Sequence, residues 1–463
     1  MKPYQWNYDY SKTLWMKMYL AEPDFPQGRS VVFITFAQAL EIIKAMDHLT
    51  QGIPKIVYLV GWQGLGHDDC YPEMEIVNEA LKRPEDETAC DSLWWLFEEA
   101  KKYHTIVSFH VNQSDAYTQT PCFPDLVKGN AVVKDAAGKA TPIEIFNGRD
   151  GYKVSYKGYY ESGLFQKNWD RFCAVTPVRE SGTVHLDNFC IAQSLGPRTS
   201  VEEEDAARNN MLDYIQSLGI DVTTEYTYRE LQWRADSPEH PIRRFYGTAI
   251  SPLPDGDWRD APLRTLGRIP ASWWTSNMTM EDCMEIPPAI YAGHLTDAAQ
   301  MKVFYGTMHG EEIWRKYGNR AADWAPAFLR DFCTYHVPYV YLNRYQRLRY
   351  EDNPALESGR YTVCFSDGVV SRGEDLSIAK NGILLKQGGD VLLPLDETNE
   401  VFIAYSETGK SGEWNIPDAA FSSADVFEIT PNGNVPRGSA EIRDGKVQLT
   451  VLPGQALALK EKK

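Results

Sequence analysis

The chain has 463 residues, 43% of them hydrophobic and 24% charged, with a formal charge of −17. That is ordinary globular composition, so wholesale disorder and fibrous repeats are excluded, and the length allows about three domains or one large barrel with an accessory domain. An acidic surface of this kind repels phosphate backbones, which argues against nucleic acid as the main partner.

The N-terminus, MKPYQWNYDYSKTLW, has no apolar core of a secretory signal. No run reaches the ~18 consecutive apolar residues of a membrane helix, and mean hydropathy is −0.42. A membrane partner is therefore not expected. Eight cysteines (Cys70, Cys90, Cys122, Cys173, Cys190, Cys283, Cys333 and Cys364) are scattered, with no CxxC pair. That argues against a zinc ribbon or a disulfide scaffold and favours a reducing, cytoplasmic setting. A secreted chain whose leader had been removed would read the same.

From about residue 30, apolar strand-like runs alternate with helical patterns. Ser30 to Phe36 reads as a strand, and Ala37 to Leu49 as a helix. Lys55 to Gly61 is a second buried strand, and Asp91 to Tyr103 an amphipathic helix. Thr105 to Val111 is a third strand. Residues 113–160, rich in Gly, Lys and Asp, read as loops or a small subdomain. A helix near 161–174 leads to a fourth strand, Gly182 to Asp187. Ser200-Val-Glu-Glu-Glu is a capping sequence for a helix running to Ser217, and Gly219 to Glu225 is a fifth strand. Residues 233–290, rich in Pro, Trp and Asp, read as a long loop or lid. Ala298 to Lys316 and Ala325 to Tyr335 read as helices, and Val337 to Leu342 as a last strand.

Strands alternating with helices mean parallel β/α units. The pattern predicts an α/β fold: a (β/α)8 TIM-type barrel over 1–355, with large insertions near 113–160 and 233–290. A doubly wound open sheet is the rival, but no glycine-rich phosphate loop follows the first strand. From about 356 the texture changes to short strands split by Ser-Asp-Gly, Lys-Asn-Gly, Pro-Asn-Gly and Arg-Asp-Gly. Such turns are hairpin signals, so 356–463 is expected to be a separate antiparallel β-sandwich domain.

In a barrel, chemistry sits just past the C-terminal ends of the strands. The second run ends in Gly61-Trp-Gln-Gly-Leu-Gly-His67-Asp68-Asp69, the third in His110-Val-Asn112. The fourth ends in His185-Leu-Asp187-Asn188 and the fifth in Thr224-Glu225-Tyr226. A carboxylate inside the last turn of an apolar strand is unusual, because partial burial without a partner costs free energy. Asp187 and Glu225 are the sharpest pair. On neighbouring strands, ~4.8 Å apart, their carboxyls would approach the ~5–5.5 Å of a retaining glycosidase rather than the ~6.5–9.5 Å of an inverting one.

Each of these residues also has an ordinary explanation. Asp187 fits a turn, Glu225 an ion pair with Arg229, and His67 a satisfied loop histidine. Tryptophans are core by default. Trp94 and Trp95 have helical apolar spacing and read as core. Trp273 and Trp274 lie in a Pro-rich loop, where a sugar-facing role is plausible. Glu202 to Glu204 reads as the acidic first turn of a helix.

Tyr58-Leu-Val-Gly61 followed by Gly66-His67-Asp68 and Pro72, and later Phe109-His-Val-Asn112-Gln-Ser-Asp-Ala-Tyr117, resemble the endo-α-N-acetylgalactosaminidases of glycoside hydrolase family 101 and their smaller relatives in family 129. The Ala404 to Pro417 segment is similar to the family's β domain. The resemblance implies Asp187 as nucleophile and Glu225 as acid/base. It implies that His67 and Asp68 hydrogen-bond the terminal sugar. Departures are the 119–160 segment, an insert near Ser194–Ser200, and a loop after Asn112 without the family's tryptophans.

The reading is therefore a retaining α-glycosidase acting on α-linked N-acetylgalactosamine-type or related hexosamine glycosides. Asn112 joins His67 and Asp68 in fixing hydroxyl and acetamido groups. No metal or organic cofactor is required. Twelve per cent of the chain is aromatic, and the rings expected as sugar platforms are Trp62, Tyr117, Tyr226, Trp273 and Trp274. Two other classes remain open. His110 and His185 share strand parity with Asn112 and Asp187, which suits a metal-dependent hydrolase. A non-catalytic carbohydrate-binding protein on a barrel scaffold is the third.

Overall fold

The computed structural model describes residues 7–9, 12–142, 144–146, 148–187, 189, 191–224, 231–233, 244–246, 311–342, 344–345, 347–352, 355, 361–416 and 418–462. Its first strand, β1 (Leu14–Tyr19), is buried along its whole length. Lys17 interrupts this apolar run, which is why the segment does not read as a buried strand from sequence. The hairpin β2 (Ala21–Asp24) and β3 (Arg29–Val32) follows. The expected first barrel strand at Ser30 to Phe36 is thus corrected: its first half is one arm of this antiparallel hairpin. Thr35 instead caps α1 (Phe36–Leu49) through a capping box with Gln38.

The core of the fold is a parallel sheet. β1, β4 (Lys55–Val60), β5 (Thr105–Asn112), β9 (Thr183–Asp187) and β11 (Asp221–Thr224) pair in that order. Helices connect them: α1, α2 (Ala89–Ala100), then α4 (Tyr156–Glu161), α5 (Leu164–Val175) and α6 (Val178–Ser181), then α7 (Val201–Ser217). Side chains alternate across the sheet with period two. Val57, Leu59, Val107, Phe109, Val111, Val184 and Leu186 join the core under the helices. Burying each such side chain contributes about 1.5–3 kcal/mol. The other face carries Trp15, Tyr58, His110, Asn112, His185 and Asp187.

Between β5 and α4 the chain makes a small excursion. It contains β6 (Asp115–Tyr117), α3 (Phe123–Lys128), β7 (Glu144–Phe146) and β8 (Arg149–Lys153), with sheet order β6-β8-β7. This is the small subdomain that the polar composition of 113–160 suggested. β10 (Ile191–Ala192), β12 (Leu231–Trp233) and β13 (Arg244–Tyr246) form another short sheet.

Helix α8 (Glu311–Tyr317) docks on β1, with the Trp314 indole N–H donating to the Lys17 carbonyl at 3.0 Å. α9 (Ala321–Asp331) runs through a π-turn at Phe332–His336 into α10 (Val337–Leu342). The last strand expected at Val337 to Leu342 is therefore a helix. A fully buried six-residue apolar run has no amphipathic period, so sequence does not separate strand from helix here.

The C-terminal part is an antiparallel sheet of twelve strands, from β14 (Arg347–Asp352) to β25 (Gln455–Glu461). Val391, Leu393, Ile403 and Tyr405 face the main core. Their alternates Leu392, Phe402 and Ala404 enclose a second core with Trp414, Val447 and Leu449. Among the described residues, no helix is long and apolar enough to cross a membrane.

Candidate active site

The polar face of the parallel sheet is layered. At the N-terminal end, Trp15 and Tyr58 meet edge to face at 6.3 Å, and the Tyr58 hydroxyl is hydrogen-bonded to Thr183 at 2.8 Å. Above them, the His185 ring lies 5.4 Å from Tyr58 and stacks on His110 at 5.6 Å. His185 Nδ1 is hydrogen-bonded to Thr223 Oγ1 at 2.7 Å, across to β11. His110 in turn meets His67 at 5.3 Å, and His67 meets Tyr19 at 5.4 Å. Four strands and one loop thus converge on one column of rings.

The carboxylates sit at the C-terminal end of that column. Asp187 ends β9 and is the register partner of Asn112. It accepts from Asn112 Nδ2 at 3.3 Å and lies 3.5 Å from His110 Nε2. Asn112 is held at both ends. Its Oδ1 accepts from the Ser114 and Asp115 backbone N–H groups, at 2.8 and 3.0 Å, and from the Ser114 hydroxyl at 3.0 Å. Its Nδ2 also donates to Asp115 Oδ2 at 2.6 Å. Asp115 is ion-paired to the fully buried Lys153 of β8.

The loop after β4 supplies a second set. His67 Nε2 lies 3.3 Å from Asp68 Oδ2, and Asp68 itself is buried. Its backbone has φ of 57°, a conformation disfavoured for residues other than Gly, Asn and Asp. The loop folds tightly over β2: a Cβ on Gly61 would lie 2.0 Å from the Ala21 carbonyl oxygen. Arg149, also from β8, donates to the Asp68 carbonyl at 2.7 Å and to Asp69 Oδ1 at 3.1 Å. Its guanidinium lies 3.5 Å from the Phe25 ring centroid and 4.3 Å from that of Tyr117.

Tyr71, from the same loop, is buried beside these groups. Burial first, and then the charges of Asp68, Asp187 and Asp115, push its phenol well above the ordinary range. It stays protonated and can donate a hydrogen bond among three carboxylates.

The sequence-predicted residues therefore divide. His67, Asp68, Asn112 and Asp187 come together on one face, and His110 and His185 lie between them. Trp62 does not join them. It is 0% exposed, packs on Phe109 and Phe172, and donates its indole N–H to the His110 carbonyl at 3.1 Å. Its expected role as a sugar platform is corrected: it is core under the helices. Tyr117 is buried under Arg149, so its ring is occupied by a cation. Glu225, Tyr226, Trp273 and Trp274 lie outside the described residues, as does Arg229. Among the described residues, no group of three His, Cys, Asp or Glu side chains is placed to hold a metal ion.

Tyr71, Arg149 and Lys153 were not legible as site residues. Tyr71 follows the Gly-His-Asp segment closely, and that proximity was a usable signal. Arg149 and Lys153 are 81 and 38 residues from their partners Asp68 and Asp115, and nothing local marks them.

The resemblance seen in sequence is matched by comparison. Residues 29–235, somewhat less than half of the chain, match the sequence model of the family described as endo-alpha-N-acetylgalactosaminidase. No curated protein matches the chain. Among solved structures, the α-N-acetylgalactosaminidase NagBb from Bifidobacterium bifidum in its GalNAc complex is similar, with a TM-score of 0.53 and 11% identity over 80% of this chain. The same enzyme's Gal-NHAc-DNJ complex gives 0.50 and 12% over 80%. The chain spans 58% and 57% of the length of those two chains. The chain thus resembles the endo-α-N-acetylgalactosaminidase type in sequence and shares a fold with an α-N-acetylgalactosaminidase.

Proposed function

We propose that this chain is a retaining α-glycosidase that hydrolyses α-linked N-acetylgalactosamine-type or related hexosamine glycosides. The observation that carries the reading is the β9–β11 pair. Thr223 is the register partner of His185 and is hydrogen-bonded to it, so both side chains lie on one face. Asp187 is two residues beyond His185, and Glu225 is two residues beyond Thr223. With the period of a strand, Asp187 belongs to that face, at the C-terminal end of β9 and beside β11 on strands ~4.8 Å apart. The resemblance assigns the acid/base to Glu225, which follows β11 in sequence and lies outside the described residues; double displacement needs ~5–5.5 Å between the two carboxyls.

In this reading Asp187 attacks the anomeric carbon, and a covalent bond to the sugar forms as the bond to the leaving oxygen breaks. Glu225 gives its proton to that oxygen. It then takes a proton from water, whose oxygen displaces Asp187 and regenerates the carboxylate. Asn112 and His110 hold Asp187, while His67 and Asp68 read sugar hydroxyls. The family match over 29–235 and the shared fold support this assignment; closure of the five described parallel strands into a (β/α)8 barrel, followed by a β-sandwich, is part of the same reading, with the boundary before β14 at Arg347–Asp352 rather than at 356.

A panel of aryl α-glycosides, with the product anomer followed by NMR, tests the reading. Release of the α-anomer first from an α-N-acetylgalactosaminide is the expected result. First release of the β-anomer, or no turnover of any hexosaminide, would overturn it.

A further inference from the structure

The excursion between β5 and α4 reaches the candidate site through one strand. On β8, Arg149 and Lys153 differ by four residues and share a face. Arg149 grips the loop carrying His67 and Asp68, and Lys153 grips Asp115 beside Asn112. The Lys153 side chain has no exposure and that of Asp115 has 10%. A buried ammonium is costly unless paired, and here it is paired with the Asp115 carboxylate, which lies beside Asn112 and the Asp187 corner.

We propose that Lys153 is a positioning residue that balances the charge of Asp115, so that Asp115 can orient Asn112 without burdening Asp187 with an uncompensated negative neighbour. This rests on the reading of Asp187 as the attacking carboxylate. A carboxylate accepts hydrogen bonds only, so Asp115 turns the Asn112 N–H2 toward itself and toward Asp187. Among the described residues, the groups facing this corner are Asp115 on β6, His110 and Asn112 on β5, His185 on β9, and Asp68 and Tyr71 from the loop after β4. Of the cations on β8, Lys153 pairs with Asp115 and Arg149 with Asp69. Without Lys153 the Asp115 charge falls on its neighbours, and like charges disfavour ionisation.

The test is a carboxyl-carbon NMR titration of the full chain labelled at aspartate, with the Asp187 resonance assigned by its loss in Asp187→Asn. In Lys153→Met the Asp187 midpoint should move to higher pH. On the aryl α-N-acetylgalactosaminide, kcat should fall by on the order of tenfold to a hundredfold, with KM changed far less. The double variant Lys153→Met/Asp115→Asn removes both charges, and its Asp187 midpoint should return to the wild-type value. A folded Lys153→Met with an unmoved midpoint overturns the proposal. If Lys153→Met does not fold, the double variant decides alone: a wild-type midpoint supports charge balance, and a displaced one overturns it. The titration needs no turnover, so an inactive wild type would count against the glycosidase reading and leave this result standing.

Discussion

Replacing Asp187 by Asn is the sharpest test of the site, because the structure predicts opposite outcomes for stability and for turnover. The Asp187 side chain is 15% exposed and touches Asn112 Nδ2 at 3.3 Å and His110 Nε2 at 3.5 Å. An asparagine of the same shape still accepts from Asn112 through its own oxygen. The structural cost through these two contacts is one charge-assisted hydrogen bond, about 1.5–3 kcal/mol, and the melting temperature should fall by a few degrees. Chemistry should suffer far more, since an amide does not attack an anomeric carbon. A loss on the order of 10³–10⁶ in kcat corresponds to ~4–8 kcal/mol of lost transition-state stabilisation. The assay is release of the aryl alcohol from an α-N-acetylgalactosaminide, beside a thermal melt of the same preparation. Near-normal turnover in a folded Asp187→Asn would refute the assignment of Asp187 as nucleophile. A large loss of stability would instead refute the view that its contacts are replaceable.

Three further outcomes follow from the same geometry. Glu225→Ala should lose activity on natural leaving groups but regain it with azide on an activated aryl substrate; an absence of rescue would move the acid/base role elsewhere, with Glu230 the first alternative to test. Trp62→Ala should cost about 3–5 kcal/mol of stability as a core truncation, with KM little changed in enzyme that remains folded; a raised KM at unchanged stability would restore it as a sugar platform. The fully buried His336 is held down to about 3 by burial and then by the charge of Lys55. Unfolded histidine takes up its proton as pH falls below 6.5, while the folded ring does not until about 3. Stability should therefore decline with acidification across that window, by about 1.4 kcal/mol per pH unit from this group. His336→Leu should flatten that slope in melts from pH 7 to 4, and an unchanged slope would refute the attribution.

Local patterns made much of this protein legible from sequence. The runs Lys55 to Val60, Thr105 to Asn112 and Thr183 to Asp187 declared themselves as strands because their apolar residues are contiguous or alternate with period two. The Ser200 region shows why a helix start is readable, its capping partner Glu203 lying three residues away; Thr35 has Gln38 at the same spacing, but the apolar run before it reads as a strand and hides the cap. The polar residues that break each apolar run at its end marked Asp68, Asn112 and Asp187. What tertiary structure decided was everything that depends on separation in sequence. β1 carries a lysine whose burial no local pattern announces, and Val337 to Leu342 has too little period to reveal a helix. Trp62 and Asp68 come from one loop, yet one packs under the helices and the other joins the site, because the chain turns between them. The ion pair of Lys153 with Asp115 and the grip of Arg149 on Asp68 exist only once an excursion of the chain folds back onto the strand ends. Sequence fixes which side chains have the chemistry for a glycosidase. Only the fold determines which of them share a face, since that depends on strand order and register rather than on neighbours along the chain.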